Sequence, residues 1–146
     1  MFAEFLKRLT APQPAPLDQT DARLALTALL VRVARSDGHF DEAEQSRIDR
    51  ITAARYGLSA IEATKLRSEA EALEVEAPDT VRFTRAIKDA VPFEERIAVI
   101  EALWQVVLAD GVRDAEEDAL LRLVTNLLGI NDRDSALARQ RVERAG

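Results

Sequence analysis

The sequence predicts an all-α fold, a bundle of about seven helices, and three observations carry that expectation. Apolar residues recur at the helical spacing: Leu26, Leu29, Leu30 and Val33 fall at i, i+3, i+4 and i+7. Ile100, Leu103, Trp104 and Val107 repeat that pattern, as do Leu120, Leu123, Val124 and Leu127. No stretch alternates with the period of two that a half-buried strand requires. Lastly, Gly38, Gly57, Gly111 and Gly129 each follow an apolar helical run, where a glycine ends a helix by turning left-handed.

Composition agrees with this fold and narrows the function. A chain of 146 residues fits one domain with one continuous core. Aromatic residues are only 5%, so the core is aliphatic, which suits interdigitating helices better than sheets. A net charge of −6, with no Lys/Arg cluster interleaved by aromatics, argues against nucleic acid as a partner. The absence of cysteine excludes disulfides, thiolate metal sites and a Cys nucleophile. No apolar run approaches the roughly 20 residues needed to span a bilayer, and the first residues lack a signal-peptide core. A cytoplasmic location is therefore expected.

Taken in order, residues 1–20 read as a short amphipathic segment and a Pro-rich linker, and residues 21–146 as the helical domain. Phe2, Phe5, Leu6 and Leu9 share one side of a two-turn helix within residues 1–9. That segment either folds back onto the domain or anchors peripherally, on a partner or at the inner face of the membrane. So short a segment buries little area, which favours folding back. Pro12, Pro14 and Pro16 then forbid a helix and favour an extended linker. Beyond the first periodic helix, residues 59–77 are helical by propensity but carry a thin apolar stripe, and are expected to pack by one edge. Phe83, Ile87 and Val91 mark another helix ending near Pro92, and a charged helix over residues 135–144 closes the chain.

The glycines expose an internal repeat. LLVRVARSDGHFDEAEQSRIDRI matches ALWQVVLADGVRDAEEDALLRLV at a constant offset of 73 residues. Leu30 pairs with Leu103, Ala34 with Val107, Ile48 with Leu121 and Ile51 with Val124. Asp37, Gly38, Asp41 and Glu44 pair with Asp110, Gly111, Asp114 and Glu117, and the register slips by one residue at Gly57 and Gly129. Each unit reads as a helix, a tight acidic turn and a returning helix, and two such units suggest a pseudo-twofold bundle.

The shared motif is D-G-x-x-D-x-x-E, and it has a plain structural reading. Asp41 with Glu44, and Asp114 with Glu117, fit capping boxes, as does Ser59 with Glu62. Carboxylates there also gain roughly 0.3–1 kcal/mol each from the helix dipole. Asp37 and Asp110 differ, because each sits at a helix C-terminus, where the dipole disfavours negative charge. Two unit charges about 4 Å apart repel by roughly 4 kcal/mol at an effective dielectric near 20. The turn therefore needs a cation, a proton or a guanidinium. Arg35, Arg47 and Arg50 lie near the first turn, and Arg113 and Arg122 near the second. A metal held by Asp37, Asp41, Glu44, Asp110, Asp114 and Glu117 would be a hard cation, Ca²⁺, Mg²⁺ or Mn²⁺ over Zn²⁺. His39, the sole histidine, stands beside the first turn as an additional candidate ligand, but its counterpart is Val112.

With those residues in view, RSDGHFDEAE and LADGVRDAEED resemble the two acidic turns of TerB-like domains of tellurite-resistance proteins and related bacterial stress modules. The resemblance spans about residues 21–137 and includes VRFTRAIKDAVPFEERIAVIEALWQVVLADG. It implies an all-helical fold and acidic residues that bind divalent cations, by position Asp37 and Glu44, and Asp110 and Glu117. It also implies a scaffolding role among membrane-associated stress proteins. Two departures are visible: Ser36 stands where the second copy has Ala109, and Arg113 puts a positive charge inside the second turn.

The expected function is thus a non-enzymatic module whose acidic turns hold divalent cations, scaffold protein partners, or both. The alternative is a purely structural interaction domain with arginine-neutralised turns and no metal. A carboxylate-metal hydrolase ranks below both. The sequence has no H-E-x-x-H, no E-x-x-H pair, no phosphate-binding glycine loop and no nucleophile elbow, and no organic cofactor is expected.

Overall fold

A computed structural model describes residues 2–12, 17–36, 38, 40–109 and 115–145. These form eight helices and, among the described residues, no strand: α1 (Ala3–Leu9), α2 (Gln19–Arg35), α3 (Glu42–Tyr56), α4 (Ala60–Glu76), α5 (Thr80–Ala90), α6 (Phe93–Ala109), α7 (Ala115–Leu127) and α8 (Asp132–Ala145). The seven helices expected of the bundle are α2 to α8, and α1 is the eighth.

The core is built around α2. A helix apolar on every side belongs in an interior, and Leu24, Leu26, Leu29, Leu30, Val31 and Val33 are all buried, together with Ala22, Ala25, Ala28 and Ala34. Its most extensive packing is against α4. The thin stripe on α4 suggested contact by one edge, but α4 packs on both α2 and α3. Ala63 and Ala70 are fully buried beside Leu73. Small side chains let helix axes approach closely, so a count of large apolar residues understates how well α4 packs.

In the second half α8 lies on α6 much as α4 lies on α2, burying Ala138. Among the described residues, however, α8 has no packing on α7 comparable to that of α4 on α3. Trp104 is half-buried beneath α8, where its indole N–H donates to Ser135 Oγ at 3.2 Å.

The N-terminal helix follows the fold-back reading. Phe5 and Leu9 are buried, and Phe2 and Leu6 pack against the core. α1 runs beside α5: the Phe2 N–H donates to the Glu76 carboxylate at 3.4 Å, and the chain returns where the Leu17 N–H donates to Ala90 O at 3.1 Å. The apolar face that a membrane anchor would use is thereby turned inward. Among the described residues no helix is long and apolar enough to cross a membrane.

Helix ends follow their local chemistry. Asp18, Asp41, Ser59 and Asp79 each accept a backbone N–H in the first turn of the helix they cap. Gly129, after α7, has φ +76°, a left-handed conformation that calls for glycine, while a Cβ there would meet only the movable end of the Lys88 side chain at 2.9 Å.

Candidate functional site

The acidic units are the candidate site, and the structure describes their flanks. Asp37 and His39 of the first turn, and Asp110, Arg113 and Asp114 of the second, lie outside the described residues. Asp41 is exposed and caps α3, its carboxylate accepting the Glu44 N–H at 3.0 Å. Glu44, third residue of α3, is half-buried. Glu117, third residue of α7, is 5% exposed.

The third residue of α4 supplies a control. There Ser59 Oγ accepts the Glu62 N–H at 3.1 Å, and the Glu62 carboxylate accepts the Ser59 N–H at 2.9 Å, closing both halves of a capping box. Glu62 is exposed, and the bond from the Ser59 amide holds its carboxyl below the ordinary 4.5. At α3 only the Asp41 half is formed. The glutamates of the acidic units thus turn inward, whereas the glutamate of a plain capping box stays outside.

The arginines near the turns have distinct surroundings. Arg35 pairs with Glu74 at 3.2 Å and Glu71 at 3.6 Å, both on α4, and its guanidinium lies 5.1 Å from the centre of the Phe40 ring. These contacts extend into a chain of alternating charge: Arg32 meets Glu74 at 3.3 Å, and Arg67 meets Glu71 at 2.6 Å and Asp49 at 2.7 Å. Arg47 is half-buried and faces a cavity of about 710 Å³, with Gln105 and Leu108 of α6 and Glu143 of α8 on its other walls. Arg122 is exposed and lines a second cavity between α6, α7 and α8.

Carboxylates in such turns are hard-oxygen donors suited to Ca²⁺, Mg²⁺ or Mn²⁺. Among the described residues no group of three or more acidic or histidine side chains is placed to hold a metal. Asp41, Glu44 and Glu117 are the three proposed ligands within the described set.

A family model described as tellurite resistance protein TerB matches residues 23–140. The chain belongs to the TerB family. TerB domains are non-catalytic helical modules, consistent with an all-helical bundle. The TerB match begins in the first turns of α2 and ends within α8, so α1 lies outside it. No curated protein and no solved structure matches the chain.

Sequence reasoning missed two features of this TerB domain. One is the charge chain from Arg32 to Asp49, whose links, apart from the i,i+4 pair Arg67–Glu71, join residues distant in sequence. The other is the group of Trp104, Ser135 and Arg139, with the Arg139 guanidinium 5.1 Å from the Trp104 ring centre. That group was accessible in principle: carried past the far glycines at an offset of 72, the repeat aligns Arg67 with Arg139.

Proposed function

We propose that this TerB-family chain is a non-enzymatic module whose two acidic turns bind divalent cations and present a cation-dependent surface to protein partners in a tellurite-resistance-type stress response. The observation that carries the reading is the inward turn of Glu44 and Glu117, in contrast to the outward Glu62. A carboxylate withdrawn from water needs compensating charge or hydrogen bonds. Arg35, the arginine nearest the first turn in sequence, is engaged with two carboxylates of α4.

A second reading, arginine-neutralised turns without metal, draws support from Arg47, which is half-buried one turn beyond Glu44 on α3. Thermal melting in chelator and in millimolar Ca²⁺, Mg²⁺ or Mn²⁺ separates the two. A cation at about 100 times its Kd adds roughly 2.7 kcal/mol, on the order of 5–10 °C in Tm. Asp37→Asn or Asp110→Asn abolishes that shift at the turn concerned, whereas Glu62→Gln leaves it intact. Melting curves that are the same in every ion and in chelator would reject the cation reading.

A further inference from the structure

The helices that follow the two acidic units are capped alike and share an Arg–Glu pair, while the helices before them exchange one charge. α4 follows Ser59 and α8 follows Asn131, and each side chain caps its helix, accepting the N–H of Glu62 at 3.1 Å and of Asp134 at 2.7 Å. The two helices stand 72 residues apart, so Arg67 corresponds to Arg139 and Glu71 to Glu143. Each arginine pairs with the glutamate one turn on, at 2.6 Å in α4 and 3.5 Å in α8. On the preceding helices, at the offset of 73, Asp49 corresponds to Arg122.

That exchange reverses the charge facing the second arginine. In the first unit the Asp49 carboxylate accepts Arg67 Nε at 2.7 Å and the Thr64 hydroxyl at 3.1 Å, tying α3 to α4. In the second, Arg122 and Arg139 occupy the equivalent positions, and Ala136 stands in place of Thr64. Two guanidiniums repel, and here α8 does not close on α7. A cavity of about 520 Å³ lies between α6, α7 and α8, lined by both arginines and by Trp104. The contact with the Trp104 ring orients Arg139, and Arg122 makes no ion pair or hydrogen bond to any described residue.

We propose that this cavity binds a compact oxyanion, a carboxylate or phosphate, bridging Arg122 and Arg139 where the first unit has the Asp49 carboxylate. Guanidinium groups match such oxyanions through paired N–H donors. Asp118 and Asp132 also line the cavity, so its ligand is a small molecule with one anionic head and a hydroxyl or amino donor, not a polyanion. The site does not depend on a cation at the acidic turns, and its test is run in chelator.

Trp104 is the single tryptophan, so its fluorescence reports on the cavity directly. The full chain is titrated with inorganic phosphate and, separately, with acetate, at an ionic strength held constant with chloride. A saturable change in emission is expected with at least one anion, and the tighter binder assigns the head group. Arg122→Gln weakens that binding at least tenfold. Arg122→Asp restores an internal carboxylate opposite Arg139, which abolishes the response and raises Tm by a few degrees. Because Arg122 is exposed, both variants keep the fold. Absence of a saturable response in the wild-type chain, an equal response to chloride, or a response surviving in Arg122→Asp overturns the proposal.

Discussion

Glu74→Ala tests whether the charge chain between α2 and α4 holds the bundle together. The Glu74 side chain is 13% exposed and faces Arg32, itself 14% exposed, at 3.3 Å, while its other oxygen accepts from Arg35 at 3.2 Å. Arg32 also donates to the backbone carbonyls of Glu74 at 3.1 Å and Pro78 at 2.8 Å, around the C-terminal end of α4. Its guanidinium lies 5.4 Å from the centre of the Phe83 ring. Removing one partner of a buried ion pair costs about 3–5 kcal/mol, because the other charge is left uncompensated. An exposed pair contributes about 0–1 kcal/mol. Limited solvent access and the two surviving carbonyl bonds place Glu74→Ala at about 2–3 kcal/mol, a fall in Tm of roughly 4–12 °C. Urea unfolding followed by circular dichroism reads this as a lower midpoint at an unchanged slope. Glu69→Ala, an exposed change on the same helix, serves as the control and is expected to stay within about 0.5 kcal/mol. A loss for Glu74→Ala no larger than that control refutes the reasoning. The double variant Arg32→Met, Glu74→Leu is expected to recover most of the stability, since an apolar pair needs no compensation.

Other outcomes follow from single residues. Tyr56 is the only tyrosine, and burial raises its pKa above the ordinary 10.0, although Arg23 and Arg55 pull it down. The folded chain then holds that proton more tightly than the unfolded chain, so stability falls as pH rises from 10.0 through the folded pKa. Tyrosinate absorbance should show a midpoint above 10.0 in the folded chain, and Tyr56→Phe should flatten the alkaline loss; a midpoint at or below 10.0 contradicts this. Gly129→Ala puts a side chain on a left-handed backbone, and should lose about 1–2 kcal/mol in urea. Gly57→Ala, at φ +65° with nothing within 4 Å, is expected to lose a similar amount from backbone strain alone. The Thr84 hydroxyl is buried and finds no hydrogen-bond partner among the described residues, so Thr84→Val should gain about 1 kcal/mol, and a lower melting temperature would count against that reading.

What the sequence displayed and what it hid divide along physical lines. Helix periodicity, the Ser59 capping box and the left-handed glycines Gly38, Gly57 and Gly129 act over a few residues, so spacing alone revealed them, while Gly111 lies outside the described residues. The role of α4 was understated because Ala63 and Ala70 pack closely without standing out as large apolar residues. The cover of Trp104 was hidden because α8 is a strongly charged helix that buries only Ala138. At the candidate site the motif was legible, but the direction of each glutamate was not. Asp41–Glu44 and Ser59–Glu62 read as the same box, and only the fold turns Glu44 inward while leaving Glu62 in water.

The charge chain also sharpens the choice between the two readings of the first turn. Arg32, Arg35 and Arg67 meet Asp49, Glu71 and Glu74 in alternating order, so that set is formally neutral. The acidic turn therefore adds negative charge beside a region with no net positive charge to lend. Arg47 is one source of compensation and a cation from solution another, and Arg47→Met distinguishes the two. If a cation neutralises the turn, removing a nearby guanidinium strengthens divalent binding, and the melting shift in millimolar ion grows. If Arg47 neutralises the turn, the variant loses stability that no ion restores. Arg47 lies on α3, one turn beyond Glu44, so the variant alters the local field without deleting a proposed ligand.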